Sequence, residues 1–410
     1  MYKIIVNGGC DLQGDIRVSG SKNAALPIIF ACILTNGVSE IKNLPDVGDV
    51  RVALKLITSL GAKVKKNGDT TYINTTDLAY QDLDPDLVSK IRASTYLLGA
   101  CLSRFGISKV MSFGGCSFSS RPIDMHIDAC LSFGASFTDN ILRTDFLVGT
   151  EISFRKASVG ATVNAILLAS TADGDSIIRG CAVEPHIDAL IGFLTSCGAH
   201  IVRQGRDIFI SGRSLHGGKI TIIGDMIEAG SYITLGLICG NGVKILDSPI
   251  DDMLAITETF VNIGAEIYRE GDCICVDRLR AGKRISVSAT PYPGFPTDLQ
   301  PIIAPLMAYA QGGVITDEVW PSRFGYLKSL ENFGVKSNVC GNTAEIFKSN
   351  IVKGVAIAPD LRGGMACLLS ALTAYGQSEI FHAEIILRGY EKLEEKLCAI
   401  GASINIIESN

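Results

Sequence analysis

Apolar and polar positions along this chain follow a pattern that recurs six times. A run with helical periodicity ends in Leu, Phe or a near equivalent, Gly-Ala or Gly-Val follows, and an alternating β-type run comes next. The pattern occurs at Ser59-Leu60-Gly61-Ala62, Ser132-Phe133-Gly134-Ala135 and Ser196-Cys197-Gly198-Ala199. It returns at Asn262-Ile263-Gly264-Ala265, Asn332-Phe333-Gly334-Val335 and Ala399-Ile400-Gly401-Ala402. Successive glycines lie 64 to 73 residues apart, a regularity that points to internal repetition. A glycine just past an apolar-periodic run predicts a helix C-terminus, where a left-handed backbone carries no side-chain penalty.

Within a unit the order also repeats. A short strand opens it, as at Ile16-Arg17-Val18, Ile152-Ser153-Phe154, Ile220-Thr221-Ile222, Ile285-Ser286-Val287 and Val355-Ala356-Ile357. A polar turn, an apolar helix, a strand and a second helix such as Asp49 to Leu60 follow. A strand pair closes the unit, as in Lys63 to Asn74 or Ile201 to Ser211. This predicts an α/β protein of six units, three plus three. The junction falls in the Gly/Ser-rich stretch Ser211 to Gly224. The strand Lys3 to Val6 precedes unit one, and adding it to the last unit's sheet makes a second chain crossing near Gly20. The expected lobes are 22–223 and 1–21 plus 224–410, with the site in a cleft between them. A rigid solenoid without a cleft is the competing arrangement.

Composition narrows the function. In 410 residues, 47% are hydrophobic, enough for sizeable cores. A net charge of −5 supplies no global basic field, so a nucleic-acid partner is not expected. The N-terminal stretch lacks the pattern of a signal peptide, and Tyr232 to Cys239 and Ala165 to Ala169 are too short to span a bilayer. Thirteen cysteines are scattered with no C-x-x-C pair. Cys32, Cys101, Cys130, Cys197, Cys239, Cys367 and Cys398 read as small core residues in a reducing compartment. Five dispersed histidines argue against structural zinc. The expectation is a cytoplasmic protein with no membrane, no obligate protein partner, no metal and no cofactor.

Polar residues gather at corresponding turns. Ser19 to Pro27 places Ser-Gly-Ser, Lys22 and Asn23 at a helix start, a plausible phosphate site although not a P-loop. Lys156-Ala157-Ser158-Val159-Gly160-Ala161-Thr162 repeats that arrangement in unit three. Asp298, in Phe295-Pro296-Thr297-Asp298, reads equally as an N-cap or as a catalytic group. Asp360 and Arg362 open the helix of unit six, where either could simply satisfy the helix end. In unit two, Phe113 to His126 sets Cys116 among glycines and serines, five residues before Arg121. Such a thiol is a better candidate for reactivity than for a core. Arg92, Arg121, Arg323, Arg362, Arg388 and Lys22 each read alone as a solvated charge. Together they would suit a ligand with several anionic groups.

These motifs resemble, essentially end to end, the UDP-N-acetylglucosamine 1-carboxyvinyltransferases of the EPSP synthase-like family. The strongest pieces are Ser21 to Pro27, Gly114-Gly115-Cys116, Arg121 to Ile127, Ser158 to Thr162, Phe295 to Asp298, Asp360-Leu361-Arg362 and Arg388-Gly389-Tyr390-Glu391. The resemblance implies a two-lobed inverse α/β barrel and transfer of the enolpyruvyl group of phosphoenolpyruvate to a nucleotide-sugar hydroxyl. It implies that Lys22, Arg121 and Arg388 bind phosphoenolpyruvate, with Asn23 positioning the substrates. Arg92, Arg121, Pro122, Ile123, Asp124, Met125, Lys156, Ala157, Ser158, Val159 and Val319 would contact the nucleotide sugar. Asp298 would be the base and Cys116 the acid, and Arg323, Asp360 and Arg362 would complete the closed site.

Three segments depart from the family pattern: Val183-Glu184-Pro185-His186, Gly224-Asp225-Met226-Ile227-Glu228-Ala229-Gly230, and Ile385-Ile386-Leu387 before Arg388. The alternatives are transfer to a different nucleotide or nucleotide sugar, a shikimate-type transferase, and a silent paralogue that only binds. The Cys116 segment and Ser158 to Thr162 disfavour the shikimate type.

Overall fold

The computed structural model describes residues 2–114 and 122–408. All six repeat glycines have positive φ, between 79° and 104°. Each follows a helix: Gly48–Ser59, Asp124–Ser132, Pro185–Ser196, Leu254–Ile263, Tyr326–Glu331 and Leu393–Ala399. In each case the amide after the glycine reaches back five residues, as Ala62 does to the Ile57 carbonyl (3.1 Å) and Ala402 to that of Leu397 (3.0 Å). The glycine's left-handed turn thus satisfies carbonyls that would otherwise be orphaned at the helix end.

The chain divides into two compact units, 20–114 with 122–223, and 2–19 with 224–408. In the second, each sheet has one parallel pair and two antiparallel pairs. Val355–Ile357, Gly376–Phe381, Tyr2–Gly8 and Ser403–Glu408 form one sheet in that order. The N-terminal strand therefore supplies the position that the end of the chain leaves open. The inner helices Met226–Cys239, Gln300–Tyr309 and Leu361–Thr373 pack on one another. Met226 and Thr373 are the only residues of the first and third that are not buried. Helices that are largely apolar around their whole circumference must be covered on every side, which is why they occupy the middle of the unit.

In the first unit, Glu151–Ser153, Asp175–Arg179, Asp207–Ser211 and His200–Gln204 form the sheet of unit three. Among the described residues, unit two has three strands, Ile107–Lys109, Ile141–Arg143 and Ser136–Thr138. The helices Lys22–Ala31 and Val159–Ala169 are buried along most of their length.

Two strands do not sit where the repeat pattern predicts. Leu12–Arg17 joins the sheet of unit four, with Ile16 opposite Ile245. Lys219–Thr221 joins that of unit one, with Ile220 opposite Ile41. The opening strands of units one and four are thus exchanged. Each crossing is pinned by a backbone hydrogen bond within its own unit, Asp225 to the Ser19 carbonyl (2.9 Å) and Ser21 to that of Ile223 (2.7 Å). Cys398 also departs from expectation. It is exposed, because Leu393, Leu397 and Ile400 take the buried face of its helix; the other six cysteines assigned to the core are buried. Among the described residues no helix is long and apolar enough to cross a membrane.

Candidate functional site

In the first unit, Ser21 caps the helix Lys22–Ala31, accepting from the Ala24 amide at 3.4 Å. Lys22 follows as the first helical residue, and its Nζ lies 3.0 Å from Asp49 Oδ2, with side chains only 12% and 10% exposed. Lys22 is therefore not a solvated charge: a carboxylate from the next helix fixes its ammonium group. Asn23 beside it is half-buried.

A single buried side chain links three of the predicted binding segments. Asn164 Nδ2 lies 3.1 Å from the Thr95 carbonyl, 3.3 Å from the Gly160 carbonyl and 2.8 Å from His126 Nδ1, while its Oδ1 accepts from the Gly99 amide at 2.7 Å. Thr95 belongs to the short helix Arg92–Tyr96, which Arg92 opens. His126 lies in the helix Asp124–Ser132, just after Pro122 and Ile123 and beside Asp124 and Met125. Gly160 is in the first turn of Val159–Ala169, after Lys156 and Ala157, and Ser158 caps that turn through the Ala161 amide (3.4 Å). A Cβ on Gly160 would lie 2.6 Å from His126 Cε1, so any larger residue there would have to displace the buried His126 ring. Burial first, then the positive charge of Arg92, lowers the His126 pKa to about 4. Asp124 is held below the ordinary carboxylate range by its hydrogen bond from Arg155.

In the second unit Asp298 is not an N-cap. That position of the helix Gln300–Tyr309 belongs to Leu299. The Asp298 carboxylate, one-third exposed, accepts from Arg323 Nη1 at 2.7 Å and from Arg362 Nε at 3.1 Å. The two arginine side chains are only 4% and 3% exposed, against the expectation of solvated charges. Both guanidiniums donate to one carboxylate, and such charge-assisted pairs hold the three side chains in a fixed arrangement. Burial opposes the Arg362 charge, but Tyr390, Asp298 and Asp225 outweigh it and raise its pKa. The Tyr390 hydroxyl is itself pushed up by burial and stays neutral, so the two carboxylates carry that support. Asp360 does satisfy a helix end: its Oδ1 accepts from the Arg362 and Gly363 amides at 3.0 and 3.1 Å. Arg388 closes the short helix Ala383–Arg388 and is half-buried. Val319 sits in a turn held by Asp317, whose Oδ1 accepts the Val319 and Trp320 amides at 2.9 and 2.7 Å.

Cys116 and Arg121 lie outside the described residues. Of the departures from the family pattern, His186 is buried in the helix Pro185–Ser196, and Met226 and Leu387 pack against the apolar core. Asp49, Asn164 and Asp317 are absent from the motif reading. Asn164 left a signal, as an amide in an otherwise apolar helix. Asp49 and Asp317 left none, since both stand where a surface acid is ordinary. Among the described residues no group of three or more His, Cys, Asp and Glu could hold a metal ion.

The family model for EPSP synthase (3-phosphoshikimate 1-carboxyvinyltransferase) matches residues 6–397. The chain is 38% identical to UDP-N-acetylglucosamine 1-carboxyvinyltransferase 2 of Clostridium acetobutylicum, covering 98% of this chain and 99% of that one. It is 39% identical to the protein of that name from Listeria monocytogenes, covering 98% and 97%. Among solved structures, the enolpyruvyl transferase NikO from Streptomyces tendae superposes with a TM-score of 0.91 at 24% identity, over 100% of this chain and 99% of that one. EPSP synthase from Acinetobacter baumannii gives 0.75 at 17% over both whole chains. The fold is therefore the two-lobed inverse α/β barrel of the enolpyruvyl transferases. With full-length relatives of this similarity, the chain belongs to the EPSP synthase family and, within it, to the UDP-N-acetylglucosamine 1-carboxyvinyltransferases.

Proposed function

We propose that the protein transfers the enolpyruvyl group of phosphoenolpyruvate to the 3-hydroxyl of UDP-N-acetylglucosamine and releases phosphate. This would be the first committed step of peptidoglycan synthesis, carried out in the cytoplasm and serving cell-wall growth, cell shape and division. The observation that carries the reading is Asp298 held between Arg323 and Arg362, in a chain whose full-length relatives bear that activity in their names.

The chemistry needs an acid, a base and clamps for anions. Cys116 donates a proton to the methylene carbon of phosphoenolpyruvate, and the adjacent carbon gains positive character. The sugar 3-hydroxyl attacks that carbon while Asp298 takes the hydroxyl proton. The resulting tetrahedral ketal returns a methyl proton to the Cys116 thiolate and expels phosphate, which leaves with the proton held by Asp298, and the double bond is restored in the product. Lys22, Arg121 and Arg388 bind the phosphate and carboxylate, and Asn23 orients the pair. Arg92, Arg121, Pro122, Ile123, Asp124, Met125, Lys156, Ala157, Ser158, Val159 and Val319 hold the nucleotide sugar. Arg323, Asp360 and Arg362 complete the closed site. The same cysteine makes the protein a fosfomycin target.

The test supplies phosphoenolpyruvate with UDP-N-acetylglucosamine, UDP-glucose, UMP or shikimate-3-phosphate and measures phosphate release. Release with UDP-N-acetylglucosamine is expected. Release only with UMP or shikimate-3-phosphate would overturn the acceptor and leave the reaction class standing. No release with any of the four would favour a paralogue that only binds.

A further inference from the structure

Asp317 ends the strand Gly313–Asp317 and is fully buried. A carboxylate removed from water requires donors in compensation, and here each oxygen has its own. Oδ1 takes the Val319 and Trp320 amides, at 2.9 and 2.7 Å. Oδ2 takes the hydroxyl of Thr297, 2.6 Å away and twenty residues earlier in the chain. A turn would need only the first pair. Having given its one proton to Asp317, the Thr297 oxygen can only accept, and Arg323 Nη1 lies 3.2 Å from it. The same Nη1 lies 2.7 Å from Asp298 Oδ1. The Arg323 backbone is tied to the same turn, its amide donating to the Trp320 carbonyl at 3.0 Å.

We propose that Asp317 is a positioning residue for Asp298, acting through the Thr297 hydroxyl and the Arg323 guanidinium. Two acceptors fix the plane of Arg323, and Arg323 in turn fixes one oxygen of the carboxylate that receives the proton. A chain of this kind strengthens when every member has one direction of donation, which Asp317 imposes. The inference rests on the reading of Asp298 as the base.

The two oxygens can be separated. In Asp317→Asn the amide oxygen still accepts from Val319 and Trp320, but the amide nitrogen cannot accept from Thr297. Thr297→Val removes the relay and leaves Asp317 in place; Thr297→Ser retains it. With the acceptor that the wild type uses, Asp317→Asn and Thr297→Val should each lower kcat by about 10- to 100-fold, the scale of a misplaced reacting group. Both KM values should stay within about threefold. Thr297→Ser should stay close to wild type, and the double variant should be no slower than the slower single variant. A kcat within about twofold of wild type in both single variants, or losses confined to KM, would overturn the proposal. A crystal structure of Thr297→Val reads the geometry without regard to any acceptor. Arg323 Nη1 should leave Asp298, and an unchanged separation would likewise overturn it. The wild-type acceptor panel separately decides the reaction itself.

Discussion

His126 and Asn164 face each other inside the first unit, ring Nδ1 to amide Nδ2 at 2.8 Å. The amide nitrogen can only donate, so Nδ1 accepts and the ring proton of neutral His126 sits on Nε2. Protonating Nδ1 would set two donors against each other in a buried place. With a folded pKa of about 4 against an ordinary 6.5, neutral His126 contributes stability that is complete above pH 6.5 and lost as pH falls toward 4. The shift is worth about 3 kcal/mol. Denaturant unfolding between pH 7 and 4 should show a steeper loss for wild type than for His126→Gln. Parallel curves would refute the assignment.

Asn164 should matter beyond stability, because it ties together the segments carrying Arg92, Asp124 and Ser158. Asn164→Asp keeps the acceptor for Gly99 and removes the donors to Thr95 and Gly160. We expect a loss of about 2 kcal/mol in folding. UDP-N-acetylglucosamine should bind about tenfold more weakly, equivalent to 1.4 kcal/mol. Calorimetry giving wild-type affinity would show that the network serves folding alone.

Fosfomycin should label Cys116 alone. The buried thiols of Cys101, Cys130 and Cys367 are each pushed up to about 12 by burial, so at neutral pH they hold almost no thiolate. The competition comes from the exposed Cys10, Cys340 and Cys398. Peptide mass spectrometry decides, and adducts on those three with Cys116 untouched would sink the assignment. Cys116→Ser should lose most activity, while Cys116→Asp, still able to donate a proton, should keep some.

Lys22→Ala and Arg388→Ala should both weaken phosphoenolpyruvate binding. Their stabilities should differ. Removing Lys22 takes the ammonium from the largely buried Asp49 and should cost about 1–3 kcal/mol. Arg388, half-buried at the end of the short helix Ala383–Arg388, should cost less than Lys22 does. Unchanged ligand affinity in both variants would remove these residues from the clamp.

Asp298→Asn should abolish turnover and retain ligand binding, since the amide preserves shape but cannot take the proton. It should also lower the melting temperature, because Arg323 and Arg362 lose the carboxylate between them. Stopped turnover with wild-type stability would mean that the two arginines are neutralised elsewhere.

The sequence by itself determined the repeats, the helix ends and the chemical class of the turns. These are local matters. A glycine after an apolar helix has one low-energy use, and all six glycines have it. The family motifs at Lys22, Ser158, Asp298 and Arg388 are likewise contiguous and readable without a fold. Tertiary structure decided which strand pairs with which. Ile16 and Ile220 open equally good β runs, and alternation states which face is buried but not which neighbour covers it. It also decided which charges are enclosed. Nothing near Arg323 or Arg362 in sequence reveals that Asp298 lies between them, because those contacts join residues 25 and 64 positions apart. Asp49 and Asp317 were hidden for the same reason, and Asn164 showed only as an amide in an apolar helix: a buried polar group is recognised by the partners that satisfy it, and folding alone brings those partners together.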